Sequence, residues 1–195
     1  MNHGMKIAGG FYKGRRIETR SPGLRPTSAL VKKSLFDTLG EDIVAARFLD
    51  LFAGSGAVGL EALSRGADYV CFVEKDPSRV NLIRRNIASL GVPSHAVEIF
   101  ATDYGLALQT LRERGTKFHV IYADPPYGEI IPRRILADIV SAGVLADDGV
   151  IIYEARRPEA KMIIHSAPEM LYPLRERGLG STSLVFFRLA REHTP

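Results

Sequence analysis

Arg47-Phe48-Leu49-Asp50-Leu51 runs without interruption into Phe52-Ala53-Gly54-Ser55-Gly56-Ala57-Val58-Gly59, and the join of that apolar run to a glycine-rich turn decides the fold. A short apolar run that ends in a carboxylate and turns on small residues reads as a buried strand feeding the N-terminus of a helix. Gly54, Gly56 and Gly59 are spaced G-x-G-x-x-G, and Glu74 follows about 20 residues on. Small residues let the backbone approach a ligand, and an acid at the end of the next strand can accept ribose hydroxyls. The loop alone leaves open which of two nucleoside-bearing cofactor classes it serves.

Outward from this join, short apolar runs alternate with amphipathic segments, the pattern of a parallel sheet covered by helices. Strands are predicted over residues 47–51, 69–74, 97–101, 118–123 and 150–154, and helices over 57–65, 106–114 and 132–142. The best-signalled helix has Asp76 as N-cap, Pro77 as its first residue, Val80, Ile83, Ile87 and Leu90 at 3–4 spacing, and Gly91 after it. Beyond residue 155, residues 171–177 and 182–189 flank Gly178-Leu179-Gly180, which reads as a hairpin that ends the sheet with an antiparallel strand. Upstream, Thr27 precedes a helix carrying Leu30, Val31, Leu35 and Leu39, and residues 5–20 read as a small extended hairpin punctuated by Gly9-Gly10 and Gly14.

The second informative stretch is Asp124-Pro125-Pro126-Tyr127, placed where the strand 118–123 ends. A carboxylate on Asp124 and the carbonyl of Pro125, on a chain stiffened by two fixed φ angles, can each accept one N–H of a planar amine. Acceptors displaced from the ring plane favour a pyramidal nitrogen, the form that attacks a methyl group. Tyr127 offers a flat face for a base removed from its stack. Asp50 faces the glycine loop, where it would repel a pyrophosphate but can hydrogen-bond the amino end of a methionine moiety. Together these features imply methylation of an exocyclic amine with S-adenosylmethionine rather than hydride transfer with a dinucleotide. The catalytic set is Asp124, Pro125, Pro126 and Tyr127; the cofactor set is Asp50, Phe52, Ala53, Gly54, Gly56, Glu74, Lys75 and Asp103, the last facing the adenine amine. Glu154 reads as structural.

The chain has 195 residues, 46% of them hydrophobic and 25% charged, ordinary for a soluble globular protein. One cysteine excludes an internal disulfide, and Cys71, within Val70-Cys71-Phe72-Val73, reads as a small buried hydrophobe. The five histidines lie at no ligand spacing, so no metal is expected. No apolar stretch reaches membrane-spanning length and no signal-peptide core precedes the first strand, which implies a cytoplasmic, membrane-free protein. Residues 1–33 hold eight basic side chains against Glu18 alone, a charge of +7 that leaves −3 for the rest of a chain whose net is +4. That asymmetry suggests a phosphate-gripping arm on an acidic catalytic body. Residues 1–40 are therefore expected to be a phosphate-gripping extension, with Lys13, Arg15, Arg16, Arg20 and Arg25 on the phosphates, and residues 41–195 the catalytic unit. A monomer is expected.

Gly9-Gly10 through Lys13-Gly14-Arg15, Pro22-Gly23-Leu24-Arg25-Pro26-Thr27, the run from Leu49 to Ala67 and the tetrapeptide at 124 together resemble the RsmD family of bacterial methyltransferases. The resemblance runs from about residue 6 to residue 189, departing from the family's usual pattern at Leu30 and Lys33. It implies a Rossmann-like class I methyltransferase fold, with a mostly parallel seven-stranded sheet and a C-terminal antiparallel hairpin. It also implies methyl transfer to the exocyclic N2 of a guanine, position 966 in the usual numbering, in 16S ribosomal RNA of the small subunit. Two other readings are weaker. A DNA adenine-N6 methyltransferase needs a target-recognition domain for which the chain has little room, and a non-catalytic ribosome-assembly factor has no need of an intact Asp50, Glu74 and Asp124.

Overall fold

The computed structural model describes residues 4–19, 27–126, 128 and 131–190. Arg20, Arg25 and Tyr127, all named above, lie outside the described residues. Its centre is a seven-stranded sheet formed by β3 (Arg47–Asp50), β4 (Tyr69–Val73), β5 (Val97–Phe100), β6 (Phe118–Ala123), β7 (Leu145–Arg156), β8 (Leu171–Leu179) and β9 (Thr182–Leu189). The order across the sheet is β5-β4-β3-β6-β7-β9-β8, and β9 runs antiparallel to both of its neighbours. The expected mostly parallel sheet with a terminal antiparallel hairpin is therefore what forms. The order reverses direction between β3 and β6, and in such sheets the carboxyl ends of the strands at that reversal bound a crevice.

Alternation along the strands divides the core in two. Phe48, Val70, Phe72 and Val120 pack on one face with residues of α1 (Ala29–Leu39), α2 (Ala57–Ser64) and α3 (Pro77–Leu90). Leu49, Cys71, Ile121 and Ile151 pack on the other with α4 (Tyr104–Glu113), α5 (Pro132–Ala142) and α6 (Ala160–His165). A separate antiparallel hairpin, β1 (Gly4–Lys6) with β2 (Arg16–Glu18), contributes Ile7 and Ile17 to the first face.

The element boundaries follow local chemistry. Asp76 caps α3 by accepting from the backbone of Ser78 and Arg79, and Gly91 closes it with a left-handed φ. Asp103 caps α4 in the same way, accepting from Gly105 and Leu106, so that helix starts at Tyr104 rather than at 106. Ser28 caps α1 through a 3.1 Å bond from the Val31 N–H. The strand predicted over 150–154 extends from 145 to 156, because β7 pairs with β6 on one side and β9 on the other. The six-residue α6 falls where the sequence reading placed no helix.

Candidate active site

Asp50 is the last residue of β3, buried to 2% exposure, with Oδ2 accepting a 3.1 Å hydrogen bond from the Gly59 N–H. Burial pushes its carboxyl up to about 7; the Gly59 N–H opposes the shift and the charge of Glu74 adds to it. Gly59 owes its identity to packing: a Cβ there would lie 2.3 Å from the Phe72 ring. Helix α2 thereby lies close on the sheet, with its first turn at the crevice.

Glu74, one residue beyond β4, ties the loop to the sheet. Its Oε2 accepts from the Gly54 N–H and its Oε1 from the Asp76 N–H, both at 2.9 Å. Glu74 is buried, while Lys75 and Asp103 are exposed along the same edge. The loop is closed by a 2.7 Å bond from the Gly56 N–H to the Ala53 carbonyl, and its start is fixed to β4 by Ala53 N–H to the Val73 carbonyl at 2.9 Å.

Asp124 follows directly on β6 and lines one cleft with Asp50, Phe52, Ala53 and Gly54. Five of the sequence-predicted site residues thus share a single concavity, and Pro125 beside them is buried while Pro126 is exposed. Gly56 and Glu74 form the framework of the loop. Among the described residues that line the cleft there are two carboxylates and no cation. This electrostatic character suits a ligand with a positive group and hydroxyls and opposes a pyrophosphate.

Two residues outside the predicted catalytic and cofactor sets, Thr27 and Tyr122, also line the cleft. Tyr122 pairs across the sheet with Asp50, and its hydroxyl donates to the buried carboxylate of Glu154 on β7. Burial raises the Tyr122 hydroxyl well above the ordinary phenol, with the charges of Glu154 and Asp124 adding to it, so it stays a neutral donor. The structural reading of Glu154 is consistent with this bond. The signal for Tyr122 is a single hydroxyl-bearing ring in the otherwise aliphatic run Val120-Ile121-Tyr122-Ala123.

The N-terminal basic segment divides in two. Lys13, Arg15 and Arg16 are exposed on the β1–β2 hairpin, and the Arg15 guanidinium donates to the Ser89 carbonyl at 2.6 Å. Lys32, counted above with the cations of that segment, is instead buried, its ammonium 3.2 Å from Glu61 Oε2. Glu61 also accepts from the Ala8 and Gly9 N–H groups and from Arg65 Nε. A lysine on the inward face of α1 can be buried this way only beside such an acceptor. The same junction explains Gly9-Gly10: Gly10 has φ +74°, and a Cβ on it would overlap the Ser64 carbonyl oxygen.

Known proteins resemble this chain in sequence and in fold. Ribosomal RNA small subunit methyltransferase D of Escherichia coli is 36% identical over 152 residues, 77% of this chain and 74% of that protein. The Haemophilus influenzae protein of the same name is 30% identical over 186 residues, 95% of this chain and 92% of its own length. The solved structure of Escherichia coli yhhF has a TM-score of 0.81 at 25% identity, covering 95% of this chain and 98% of that one. The family described as conserved hypothetical protein 95 matches residues 5–188, and with these relatives it shows that the chain belongs to the RsmD family of methyltransferases.

Proposed function

We propose that this chain transfers a methyl group from S-adenosylmethionine to the exocyclic N2 of a guanine in 16S ribosomal RNA, position 966, within the small ribosomal subunit. The observation that carries the reading is the single cleft in which Asp124 faces Asp50 and the loop 52–55. The names of the relatives support RNA as the substrate class.

The cleft fits the cofactor through its donor set. Asp50 suits the α-amino group, Phe52 and the small residues after it suit a flat nucleoside, and Glu74 keeps acceptor capacity for ribose hydroxyls because each oxygen holds one N–H and has a second lone pair. When bound, S-adenosylmethionine supplies a sulfonium methyl, an electrophile that needs no activation by the protein. The chain's own work is alignment. Asp124 Oδ and the Pro125 carbonyl accept the two amine hydrogens, Tyr127 stacks the base, and Asp124 or water takes the proton released from the methylated nitrogen. Tyr122, anchored by Glu154, keeps the wall beside Asp124 in place. On this reading Lys13, Arg15, Arg16, Arg20 and Arg25 hold phosphates, the first 40 residues serve the RNA, and the remainder serves the chemistry.

Methyl transfer to small subunits lacking this modification tests the proposal, with tritiated cofactor and nucleoside analysis. N2-methylguanosine is the expected product, and Asp124→Ala lowers its rate by about 100-fold or more while cofactor affinity is retained. Label confined to N6-methyladenine in duplex DNA would overturn the substrate assignment and keep the amine chemistry.

A further inference from the structure

We infer that Phe11, at the tip of the β1–β2 hairpin, is a stacking platform for an unpaired base of the RNA flanking the target nucleotide; this rests on the RNA reading above. Phe11 is the most exposed large apolar side chain among the described residues, at 88%. A single exposed phenylalanine on a surface is ordinary. This one is held in a fixed position. Its N–H donates to the Ser64 carbonyl at 2.6 Å, and the next N–H, of Tyr12, donates to Ser64 Oγ at 2.9 Å. The turn is closed behind it by Gly14 N–H to the Ile7 carbonyl and Ile7 N–H to the Arg15 carbonyl, both 2.9 Å. Tyr12 stands perpendicular to the ring, centroids 5.0 Å apart at 89°, so it covers at most one face of Phe11 and leaves the opposite face free of that neighbour.

The partner's chemistry follows from the surroundings. Lys13, Arg15 and Arg16 are exposed around the turn, and the nearby acid Glu18 is paired with Arg85 at 3.2 Å. An exposed aromatic ring on a turn that also carries exposed cations matches a nucleobase with its phosphates, because every base has a π face and every nucleotide a negative charge. An apolar protein partner would gain nothing from the three cations. The turn sits at the C-terminal end of α2, whose first turn is at the cleft. Eight residues of helix separate the two ends, about 12 Å. The stacked base is therefore a flanking nucleotide, and its loss affects capture of the RNA more than the chemical step.

The chain contains no tryptophan, so Phe11→Trp creates a single fluorescent reporter at the site. With protein-free 16S RNA, the Phe11→Trp emission is expected to be quenched, and Phe11→Ala to bind about 5- to 100-fold more weakly. The weakening should appear in KM rather than kcat, with cofactor affinity, thermal midpoint and salt slope unchanged, since stacking releases no counterions. Wild-type affinity in Phe11→Ala together with an unmoved Phe11→Trp emission would overturn the inference. So would a response to intact subunits but none to protein-free RNA, which would place Phe11 on a ribosomal protein. If wild-type protein neither binds nor methylates either substrate, it is the RNA reading itself that fails, and the inference fails with it.

Discussion

Asp50 shows how one side chain can be poor for the fold and suited to a ligand. Its carboxyl titrates near 7 in the fold against 3.8 for an ordinary aspartate. Between those values the native state holds a proton that the unfolded chain has lost, so Asp50's contribution to stability falls as pH rises through that window and is gone above about 7. The span corresponds to on the order of 4 kcal/mol. Asp50→Asn keeps an oxygen for the Gly59 N–H and removes the charge. Ligand-free Asp50→Asn is therefore expected to melt roughly 8–16 °C above wild type at pH 8, with little difference at pH 4. Binding of a cationic amino group needs the ionised form, so cofactor affinity in wild type should rise up to tenfold per pH unit below 7 and level off above it. Calorimetric titration from pH 5.5 to 8.5 checks this, and a flat profile in wild type would remove Asp50 from the amino-group site. Asp50 was legible in the sequence because it stands at a strand end before a glycine loop. Tyr122 was not, because an aromatic within an apolar run reads as core, and only the sheet register puts it beside Asp50.

At the scale of elements, the junction of α1, α2 and the hairpin turn rests on Glu61. That carboxylate is fully buried and accepts from Lys32, Arg65 and the two backbone N–H groups of Ala8 and Gly9. Burial pulls the Lys32 ammonium's pKa down, and Glu61's charge works against that fall. The two partners are not equivalent. Glu61→Gln leaves a buried lysine without its counter-charge and is expected to lose about 3–5 kcal/mol of stability. Lys32→Met leaves Glu61 with Arg65 and two N–H groups and is expected to lose distinctly less. Urea unfolding of both variants checks the order, and equal losses would show that the pair acts as an isolated ion pair. Sequence could not separate Lys32 from the solvated cations near it, because its partner lies 29 residues away on another helix. The long helices were readable from period and caps, α3 above all. The six-residue α6 is too short to show a period, and β7 runs past its apolar run because two partner strands hold it.

For the whole molecule, the division of task proposed at residue 40 is, by the packing, a poor place to cut. Ile7, Ile17, Val31, Leu35, Phe36 and Leu39 are buried in the same cluster as Phe48, Phe72 and Val120 of the sheet. At about 1.5–3 kcal/mol for each buried side chain, six of them represent on the order of 9–18 kcal/mol. That is as large as the roughly 5–15 kcal/mol net stability of a typical domain. A chain beginning at residue 41 is therefore expected to lack a cooperative thermal transition and to aggregate, whereas the catalytic elements alone would suggest an active core. The charges can be removed without that damage, because Arg15 and Arg16 are exposed. Arg15→Ala/Arg16→Ala is expected to keep the wild-type unfolding midpoint and cofactor affinity, and to lower the slope of log affinity for 16S RNA against log salt by about 1.4–1.8. A filter-binding series from 50 to 300 mM salt reads this directly. An unchanged slope would place the phosphate contacts on another face. A lower unfolding midpoint would mean that the Arg15 bond to the Ser89 carbonyl holds the hairpin on α3, and the hairpin would then bind RNA only while it is docked on the core.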